Sequence, residues 1–547
     1  MVNTKLNENI MLKKIRVTLS VVIFSIITLY FLDFRGFIPE SLSIFTKIQF
    51  IPALLSLNII ILISLILLTL IFGRVYCSSI CPMGIYQDIV AWLSKKQNKK
   101  KRYRYGKAKN VLRWSILGVT IVAFIFGFNF LVGLLDPYGS YGRITTHLFR
   151  PIYLEGNNLL ASIFTSFNNY KFYKVGIYLL SVSSTIIALI TLLAIGYLAW
   201  RGGRTYCNTV CPVGTTLGFM SKYSLFKIQF VDEKCNMCGL CSMKCKASCI
   251  DSKNKKIDHS RCVTCFNCIE VCNRSAMKYT FGIDTKRDIV TSKVIEAEME
   301  VDTVENNSTA NKLVANSRIN ESKRRFLSAS LITGLAAGRM FAQEFSDNIY
   351  SLPDEILPKR ELKRQTPIAP PGALSFDQLK EKCISCHLCV SKCPSHVIKP
   401  AFLEYGLGGV MQPKLYFDKG FCNYDCTVCG DVCPTGALVP LTVEEKNHTQ
   451  MGKVHFIIEN CIVYYDETSC GACSEHCPTQ AVHMVPYKDH LTIPETDPSI
   501  CVGCGGCEYV CPAIPYKAIY VEGLSKQNII EIEHDEVEEI MIDGFGF

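Results

Sequence analysis

The sequence predicts an all-α polytopic membrane domain, of four helices plus a signal or anchor helix, joined to small cysteine-rich α+β domains. Hydrophobic residues make up 49% of the 547-residue chain, which also contains 29 cysteines. Nearly all the long apolar runs precede residue 200, and nearly all the cysteines follow it. The length suits two or three domains, and such a long chain is not a small disulfide scaffold.

Four apolar segments are candidates to cross a bilayer, which takes roughly 20 residues each. They lie at about 17–32, 51–72, 115–135 and 175–200. The alternative, buried helices of a soluble protein, fits poorly with a run such as IIILISLILLTLIFG. Residues 1–220 are therefore predicted to form a four-helix transmembrane domain.

The net charge of +10 is concentrated between the second and third of these segments. Nine positive charges fall in KKQNKKKRYRYGKAK, residues 95–109. Basic loops beside membrane segments set topology, so this run indicates orientation and not a nucleic-acid partner. The N-terminus, the basic loop and the stretch after residue 200 are expected in the cytoplasm.

Four further regions follow the membrane domain. We expect a cytoplasmic cysteine-rich domain at 221–285 and a flexible linker at 286–322, which is too polar to fold alone. Residues 323–345 begin with KRRFL and resemble a twin-arginine export signal, with a fifth membrane anchor as the alternative. Residues 346–547 are then expected outside the cytoplasmic membrane, in the periplasm.

The cysteines repeat the spacing C-x2-C-x2-C-x3-C or a stretched form of it. This run supplies three thiolates to one 4Fe–4S cluster, and its last cysteine reaches the partner cluster in paired domains. Two copies in 221–285 are Cys235, Cys238, Cys241, Cys245 and Cys262, Cys265, Cys268, Cys272. Four copies in 346–547 are Cys383, Cys386, Cys389, Cys393; Cys422, Cys426, Cys429, Cys433; Cys461, Cys470, Cys473, Cys477; and Cys501, Cys504, Cys507, Cys511. The sequence predicts six 4Fe–4S clusters in ferredoxin-like α+β domains.

Other uses of these cysteines fit less well. Six repeats of one four-ligand spacing do not look like a disulfide framework, and zinc sites prefer separated CxxC pairs. Residues 383–387 also match the haem-attachment pattern CxxCH, but Cys386 is needed within a complete ferredoxin run. Cys249 is either an alternative ligand or a buried thiol, and we favour the buried thiol.

A second motif, GRxYCx3CPxG, occurs at residues 73–84 and 203–214, each time after an apolar segment. It indicates an internal duplication, and symmetric pairing could bring together four thiolates. We expect Cys77, Cys81, Cys207 and Cys211 to be a cluster site or redox-active thiols; the alternative is that they only shape the turns.

The two motif sets resemble two known families. The first half, with its duplicated GRxYCx3CPxG motif and following cysteine repeats, resembles NapH-type quinol dehydrogenase membrane subunits. The second half, with CPTGAL at 433–438 and SCGAC at 469–473, resembles NapG/MauM ferredoxins. The chain thus looks like a NapH–NapG fusion. It departs from the pattern at Lys323, the first twin-arginine position, and at Lys246 and Asn273, where proline usually follows the fourth cysteine.

The resemblance implies a bacterial inner-membrane protein that oxidises membrane quinol and passes electrons to a periplasmic reductase, such as nitrate reductase, or to a cytochrome. Membrane lipid and the quinol pool are its implied partners. The runner-up function is a maturation or regulatory polyferredoxin that assists assembly of a respiratory metalloenzyme. The sequence contains no Gly-rich nucleotide loop and no nucleophile paired with a base, so we expect terminal chemistry to belong to a partner.

Two points stay open at this stage. Asp136, Arg143 and His147 have groups that could accept a quinol proton, although an ordinary interfacial loop is the alternative. The bilayer core is about 30 Å thick, and the motifs reveal no carrier that takes electrons across it.

Overall fold

The computed structural model describes residues 2–98, 102–178, 180–282 and 359–531. The helical part and the two cysteine-rich parts, described below, belong to a single unit. The predicted linker, 286–322, and the predicted export signal or anchor, 323–345, lie outside the described residues.

The first part of the chain is helical through residue 221. A π-helical turn, Thr145–Phe149, separates two of its helices. The α-helices are α1 Val2–Leu32, α2 Ile44–Lys47, α3 Phe50–Leu55, α4 Ile59–Phe72, α5 Val75–Ser79, α6 Pro82–Gln97, α7 Asn110–Ile125, α8 Asn129–Leu135, α9 Pro137–Ile144, α10 Arg150–Ser166, α11 Val182–Gly202, α12 Thr205–Thr209 and α13 Pro212–Ser221.

Two helices are long and apolar enough to cross a membrane, within the residues described. They are Met11–Leu32, which is most of α1, and α11. Shorter apolar helices, α4 and α7, fall in the other two predicted segments. The outer faces of these helices carry exposed aliphatic side chains, such as Ile60, Leu67 and Ile190.

The second and third predicted segments are each broken by a turn. In segment 51–72, α3 ends at Leu55 and Leu57 takes a left-handed φ of 55°. The side chain of Asn58 then caps α4 by accepting a hydrogen bond from the Ile61 N–H. In segment 115–135, Gly127 with φ 73° separates α7 from α8. Short turns thus divide runs whose hydropathy is continuous.

The two GRxYCx3CPxG motifs fold identically. Gly73 and Gly203 have positive φ values of 75° and 72°. A five-residue helix follows each, and the next helix begins with proline at its first turn, which suits proline because no N–H is needed there. The duplication inferred from sequence is therefore structural.

Two cysteine-rich parts follow, each built from short helices and two-stranded antiparallel sheets. The strands of the first part, 226–282, are β1 Phe226–Phe230, β2 Ile250–Asp251, β3 Lys256–Ile257 and β4 Met277–Phe281, with helices α14 Leu240–Lys244 and α15 Asn267–Glu270. The strands of the second part are β5 Ile398–Pro400, β6 Pro413–Leu415, β7 Thr449–Phe456, β8 Val482–Pro486, β9 Thr492–Thr496 and β10 Ile519–Ile529. Its helices are α16 Phe376–Lys382, α17 Leu388–Lys392, α18 Val428–Asp431, α19 Val443–Asn447, α20 Ile462–Tyr465, α21 Ala472–Glu475 and α22 Gly506–Val510.

In each part, the strands pair with other strands of the same part. In the first, β1 pairs with β4 and β2 with β3. In the second, β5 pairs with β6, β8 with β9, and β7 with β10 across a register shift between Gly523 and Asn528. Such small sheets bury little apolar surface, so the stability of these parts depends on the groups that their cysteines bind.

One buried apolar core extends from the helical body into both cysteine-rich parts. It contains Tyr76 and Tyr141 from the body, Cys265 from the first part and Cys386 from the second. The two cysteine-rich parts are therefore packed onto the same set of helices.

Candidate iron–sulfur centres and their docking sites

The four cysteine runs with regular spacing share one backbone conformation. In each, the residue before the second cysteine and the residue after it both take a left-handed φ. The pairs are Met237 and Gly239, Thr264 and Phe266, Ser385 and His387, and Gly503 and Gly505, with φ between 50° and 77°. This conformation costs a non-glycine residue about 1–2 kcal/mol, and such turns aim backbone N–H groups at an anion. The loops are thus shaped to wrap a negatively charged group.

In the first cysteine-rich part, the fourth cysteine of each run is exchanged with the other run. Cys235, Cys238 and Cys241 line a recess of about 670 Å³ together with Cys272. Cys262, Cys265 and Cys268 line another, of about 320 Å³, together with Cys245. Each recess thus gathers three thiols from one run and one from its neighbour, and the second recess also contains Cys249.

The second cysteine-rich part repeats the exchange twice. Cys383, Cys386 and Cys389 share a recess of about 370 Å³ with Cys433, and Cys461, Cys470 and Cys473 share one of about 350 Å³ with Cys511. Electrostatic interactions group the remaining thiols as Cys422, Cys426, Cys429 with Cys393, and Cys501, Cys504, Cys507 with Cys477. Each four-thiol set is called a cradle below.

The donor chemistry of the cradles fits iron–sulfur clusters. All 29 cysteines are free thiols, so they do not form a disulfide framework. In the described residues, no three Cys, His, Asp or Glu side chains converge as a single metal ion would require. A cube with irons at separate corners accepts four spread thiolates, and clusters of this type are held by four cysteines.

Cys249 lies in the cradle that contains Cys245 and Cys262. It is buried, as expected, and its Sγ is 3.5 Å from the Cys245 Sγ. The thiol is therefore buried, and it also faces the other thiols of the cradle.

His387, the residue that completes the CxxCH pattern, occupies the position of Gly239, Phe266 and Gly505 in the other runs. Its Nδ1 lies 2.7 Å from the His147 Nε2, and its Nε2 lies 3.0 Å from the Met411 carbonyl oxygen. Burial lowers the pKa of His147 to about 4, so the His147 imidazole is neutral at physiological pH. The histidine makes a contact between the body and the second part, and the loop is a ferredoxin loop.

Cys77, Cys81, Cys207 and Cys211 are buried together where the two motif copies meet. We call this set the motif centre. Burial, and then the neighbouring charges of Cys207 and Cys77, raise the pKa of the Cys81 thiol. Burial, and then the charges of Cys207 and Cys81, raise the pKa of the Cys211 thiol. The four groups therefore lie within electrostatic reach of one another.

Two arginines cross between the motif copies. Arg74 donates to the Cys77 Sγ at 3.7 Å and to the Cys207 carbonyl oxygen at 3.2 Å. Arg204 donates to the Cys207 Sγ at 3.9 Å and to the Cys77 carbonyl oxygen at 2.6 Å. Both guanidinium groups are fully buried. This reciprocal pattern is what an internal twofold symmetry produces.

Asp88, whose side chain is partly buried, provides a counter-charge for only one of these arginines. Its carboxylate lies 2.8 Å from Arg204, 3.1 Å from Arg16 and 3.3 Å from Lys246. Despite burial, Arg204 and then Lys246 hold the pKa of Asp88 well below its usual range. Sequence reasoning missed Asp88, because its partners come from three distant parts of the chain.

The first cysteine-rich part docks directly onto the motif centre. The Arg74 guanidinium donates to the Ser260 carbonyl oxygen at 3.1 Å. The backbone N–H of Arg204 donates to the Lys246 carbonyl oxygen at 3.0 Å. Ser260 lies two residues before Cys262, and Lys246 directly follows Cys245. Both cysteines belong to one cradle. At Gly218 a Cβ would lie 2.5 Å from the Ser260 carbonyl oxygen, so the helix needs glycine for this close approach.

The second cysteine-rich part docks onto α8 and α9. Arg143 donates to the Ser385 carbonyl oxygen at 3.1 Å and to the Gly133 carbonyl oxygen at 2.9 Å. A Cβ at Gly142 would clash with the Cys386 carbonyl oxygen. Lys392 forms an ion pair with Asp33 at 2.9 Å. The cradle containing Cys386 is therefore the one nearest the body.

Asp136, Arg143 and His147, the sequence candidates for a quinol site, are all buried in this second dock. Asp136 caps α9 by accepting from the Gly139 N–H at 2.6 Å, and burial raises its pKa to about 7. Arg143 and His147 contact the docked loop, and none of the three side chains lines one of the recesses above. The segment is a helix and a π-turn, and not an ordinary interfacial loop.

A large groove, which the sequence did not reveal, opens between α1, α6 and the first cysteine-rich part. Its volume, open to solvent, is about 1750 Å³. Apolar side chains such as Phe24, Ile85 and Trp92 line it together with charged ones, among them Lys13 and Lys95. Asn267 and Val271, which neighbour Cys268 and Cys272, form its wall on the cysteine-rich side.

Comparison with known proteins identifies two families of iron–sulfur domain in this chain. A family described as a 4Fe-4S binding domain matches residues 56–100 and 184–230. A family described as a 4Fe-4S dicluster domain matches residues 382–437 and 468–514. The chain therefore contains 4Fe–4S cluster domains, in agreement with the sequence prediction of cofactor type.

Three relatives carry ferredoxin-type names. The methylamine utilization ferredoxin-type protein MauM of Methylobacillus flagellatus is 30% identical over 168 residues, which are 28% of this chain and 68% of the relative. The ferredoxin-type protein NapF of Escherichia coli is 26% identical over 166 residues, 30% of this chain and 93% of the relative. The ferredoxin-type protein NapG of Escherichia coli is 28% identical over 152 residues, 26% of this chain and 65% of the relative. No solved structure matches the chain.

Proposed function

Because this chain belongs to the family of ferredoxin-type proteins that includes MauM, we propose that it is a membrane-bound electron carrier that oxidises quinol, of the menaquinol type, and supplies a periplasmic reductase such as nitrate reductase. The observation that carries the proposal is the docking of two cysteine-rich parts on one helical body. This arrangement suits a protein that moves electrons between two sides of a membrane.

The spacing of the two docks along α1 supports placement on opposite membrane faces. Lys13, in the first half of α1, pairs with Glu270 of the first cysteine-rich part at 2.5 Å. Asp33, just after the end of α1, pairs with Lys392 of the second part at 2.9 Å. Twenty residues of helix separate them, which is about 30 Å at 1.5 Å per residue. The hydrocarbon core of a bilayer has about the same thickness.

The six cradles are the proposed cluster sites, with three ligands from one run and the fourth from its neighbour. Bound clusters would each store and release single electrons. The chain's contribution is to hold the thiols in four-membered sets, to exclude water by burial, and to present backbone N–H groups from the left-handed turns. Hydrogen bonds to the sulfurs then tune the potential of each site.

The topology proposed is the one expected from charge. The basic stretch 95–109 and the first cysteine-rich part face the cytoplasm, and the second part faces the periplasm. The exposed aliphatic faces of α1, α4, α7 and α11 are then in contact with lipid, where they need no protein partner. The segment 323–345 carries the chain outward, as an export signal or a fifth anchor.

We place quinol at the groove beside Trp92 and Ile85 and no longer at Asp136. The groove is large and combines apolar side chains with charged ones, which suits the isoprenoid tail and the polar ring of a quinol. Its wall neighbours Cys268 and Cys272, ligands of both cradles in the first part. Oxidation releases two electrons and two protons per quinol; the electrons enter these cradles one at a time, and the protons leave to water at the basic edge.

Reconstitution tests this function. The full chain, with clusters intact, is incorporated in liposomes with menaquinol, and cluster absorbance and EPR are followed without any other reductant. We expect bleaching of the visible absorbance and new EPR signals from reduced clusters, with no change in liposomes that contain menaquinone instead. Clusters that stay oxidised at excess quinol, although dithionite reduces them, would contradict quinol oxidation.

The runner-up function is a maturation or regulatory polyferredoxin. The sequence alternative rests on related membrane polyferredoxins, and free thiols such as Cys249 beside a cradle would suit redox sensing. In that case deletion of the protein impairs cofactor loading of a respiratory metalloenzyme, while quinol does not reduce the purified chain.

A further inference from the structure

The motif centre contains one complete set of cluster ligands, but only when both motif copies are counted. The two regions that match the 4Fe-4S binding domain, 56–100 and 184–230, contain two cysteines each. Neither copy can supply the four thiolates that a 4Fe–4S cluster takes. The structure buries both pairs in one place, related by the reciprocal contacts of Arg74 and Arg204.

The charges around the motif centre require an anion there. Arg74 is fully buried, and among the described residues it pairs with no carboxylate. Its partners are the Asn208 side-chain oxygen, two backbone carbonyl oxygens and the Cys77 Sγ. A buried cation is costly unless it is paired. Thiolates around a cluster, which leave the whole group negative, provide the missing partner.

The arrangement of the thiols discriminates between kinds of occupant. Within the described part of the chain, no three ligand side chains converge on a point as zinc would require. The same is true of the six cradles, and the 4Fe-4S dicluster domain matches the second part, which contains four of them. The cysteines are also free and not joined in disulfides. The motif centre therefore resembles the cradles and not a zinc site.

We propose that Cys77, Cys81, Cys207 and Cys211 together bind a seventh 4Fe–4S cluster, shared between the two motif copies, that relays electrons through the helical body between the two cysteine-rich parts. This inference deepens the proposed function and rests on it for the direction of flow. It also chooses between the two uses that the sequence left open for these thiols, a cluster site or redox-active thiols, and makes the site a carrier within the membrane domain.

The position of the motif centre fits a relay. On one side, Arg74 joins Cys77 to the Ser260 carbonyl, two residues before Cys262 of the nearest cradle. On the other side, the Tyr206 hydroxyl, next to Cys207, donates to the Leu135 carbonyl oxygen at 2.8 Å. Leu135 ends α8, the helix on which the second part docks.

The path continues from α8 to the second part without leaving the buried core. Arg143 bridges the Gly133 carbonyl of α8 to the Ser385 carbonyl beside Cys386. Cys265, the motif cysteines and Cys386 belong to one apolar core. Each transfer moves one electron: the site that gives it is oxidised, the next is reduced, and no bond forms or breaks.

Removal of two motif thiols tests the inference by iron content. In the full chain, Cys81→Ser with Cys211→Ser is expected to lose about four irons per molecule, one cluster of the 4Fe–4S type, while the signals of the six cradles remain. Ser79→Ala, a buried change in the same short segment, serves as the control and is expected to keep all its iron. Unchanged iron and sulfide in the double variant would overturn the proposal, as would zinc at the motif centre of the wild type.

A milder variant guards against misfolding. The Gln87 side-chain N–H donates to the Cys207 Sγ at 3.1 Å, and Gln87→Met removes this hydrogen bond with little change in volume. Since hydrogen bonds to the sulfurs raise cluster potentials, we expect one EPR signal to titrate at lower potential, with full iron content. If no signal shifts, the proposal fails.

The two claims can fail separately. If the seventh cluster exists but quinol is not the donor, the double variant still loses iron while wild type stays oxidised with menaquinol. If quinol is the donor but the motif centre is no relay, the double variant still passes electrons from quinol to the second part at the wild-type rate.

Discussion

Asp88 is the residue on which the buried charges of the motif centre depend most. It contacts Arg204, Arg16 and Lys246 from a largely buried position, with its side chain 13% exposed. Breaking a buried ion pair by removal of one partner costs about 3–5 kcal/mol, because the remaining charges lose their counter-ion. Asp88→Asn is therefore expected to lower the free energy of unfolding by about this amount, measured by thermal unfolding of the purified protein in detergent.

An exposed ion pair gives the control for Asp88. Asp232 lies 3.5 Å from Lys255, with side chains 45% and 28% exposed, and such pairs contribute about 1 kcal/mol or less. Equal losses for Asp232→Asn and Asp88→Asn would contradict the role given to Asp88. Because the pKa of Asp88 is lowered by folding, its contribution is complete at neutral pH and is lost only as the pH falls below about 3.9, the unfolded value.

At the residue scale, the cysteine spacing predicts which thiols belong to cluster sites, but it does not predict every contact around those thiols. The runs indicate three ligands and one exchanged ligand, and the structure groups them in this way at Cys272, Cys245, Cys433 and Cys511. The crossed contacts of Arg74 and Arg204 could not be predicted, since they depend on how two distant motif copies meet. The CxxCH pattern at His387 suggests haem attachment misleadingly. In the ferredoxin loop this position requires a left-handed backbone, and different residue types occupy it in the different runs.

At the element scale, close approach of α9 to the second cysteine-rich part is set by Gly142. A Cβ there would clash with the Cys386 carbonyl oxygen and the Phe31 ring. Overpacking of this kind typically costs about 1–3 kcal/mol. Gly142→Ala is expected to loosen this dock, to expose residues 359–531 to limited proteolysis, and to slow reduction of the second part, with cluster content unchanged.

Gly156→Ala is the matched control for Gly142→Ala. Gly156 lies in the following helix, α10, and a Cβ there would meet nothing within 4 Å. We expect it to behave as wild type in proteolysis and in reduction rate. A Gly142→Ala protein indistinguishable from Gly156→Ala would show that the dock does not need this contact.

The broken helices show what apolar runs alone cannot predict. The apolar runs 51–72 and 115–135 are continuous in hydropathy, but the chain turns inside each of them, at Asn58 and at Gly127. Only two described helices, Met11–Leu32 and α11, have the length and composition to cross a membrane. The four-helix membrane domain predicted from sequence therefore stays a prediction, whereas the helix-rich body and the ferredoxin domains are confirmed.

At the scale of the whole molecule, the motif centre shares one buried apolar core with Cys265 of the first cysteine-rich part and Cys386 of the second. Cysteine spacing was enough to predict iron–sulfur domains, and the charge pattern was enough to propose an orientation. The docks could not be predicted, because Arg143 and Asp33 meet residues more than 200 positions away in the chain. These contacts join the two cysteine-rich parts to one helical body, which is the arrangement that the proposed electron path requires.

One-sided reduction tests this path most directly. Vesicles with the first cysteine-rich part facing outward are treated with a reductant that does not cross the bilayer, and EPR follows the signal that a Cys386→Ser variant lacks. We predict that this signal, from the second part on the far side, appears in the reduced form together with those of the first part. Reduction confined to the first part, with the second part reduced only after the vesicles are opened, would contradict an electron path through the helical body.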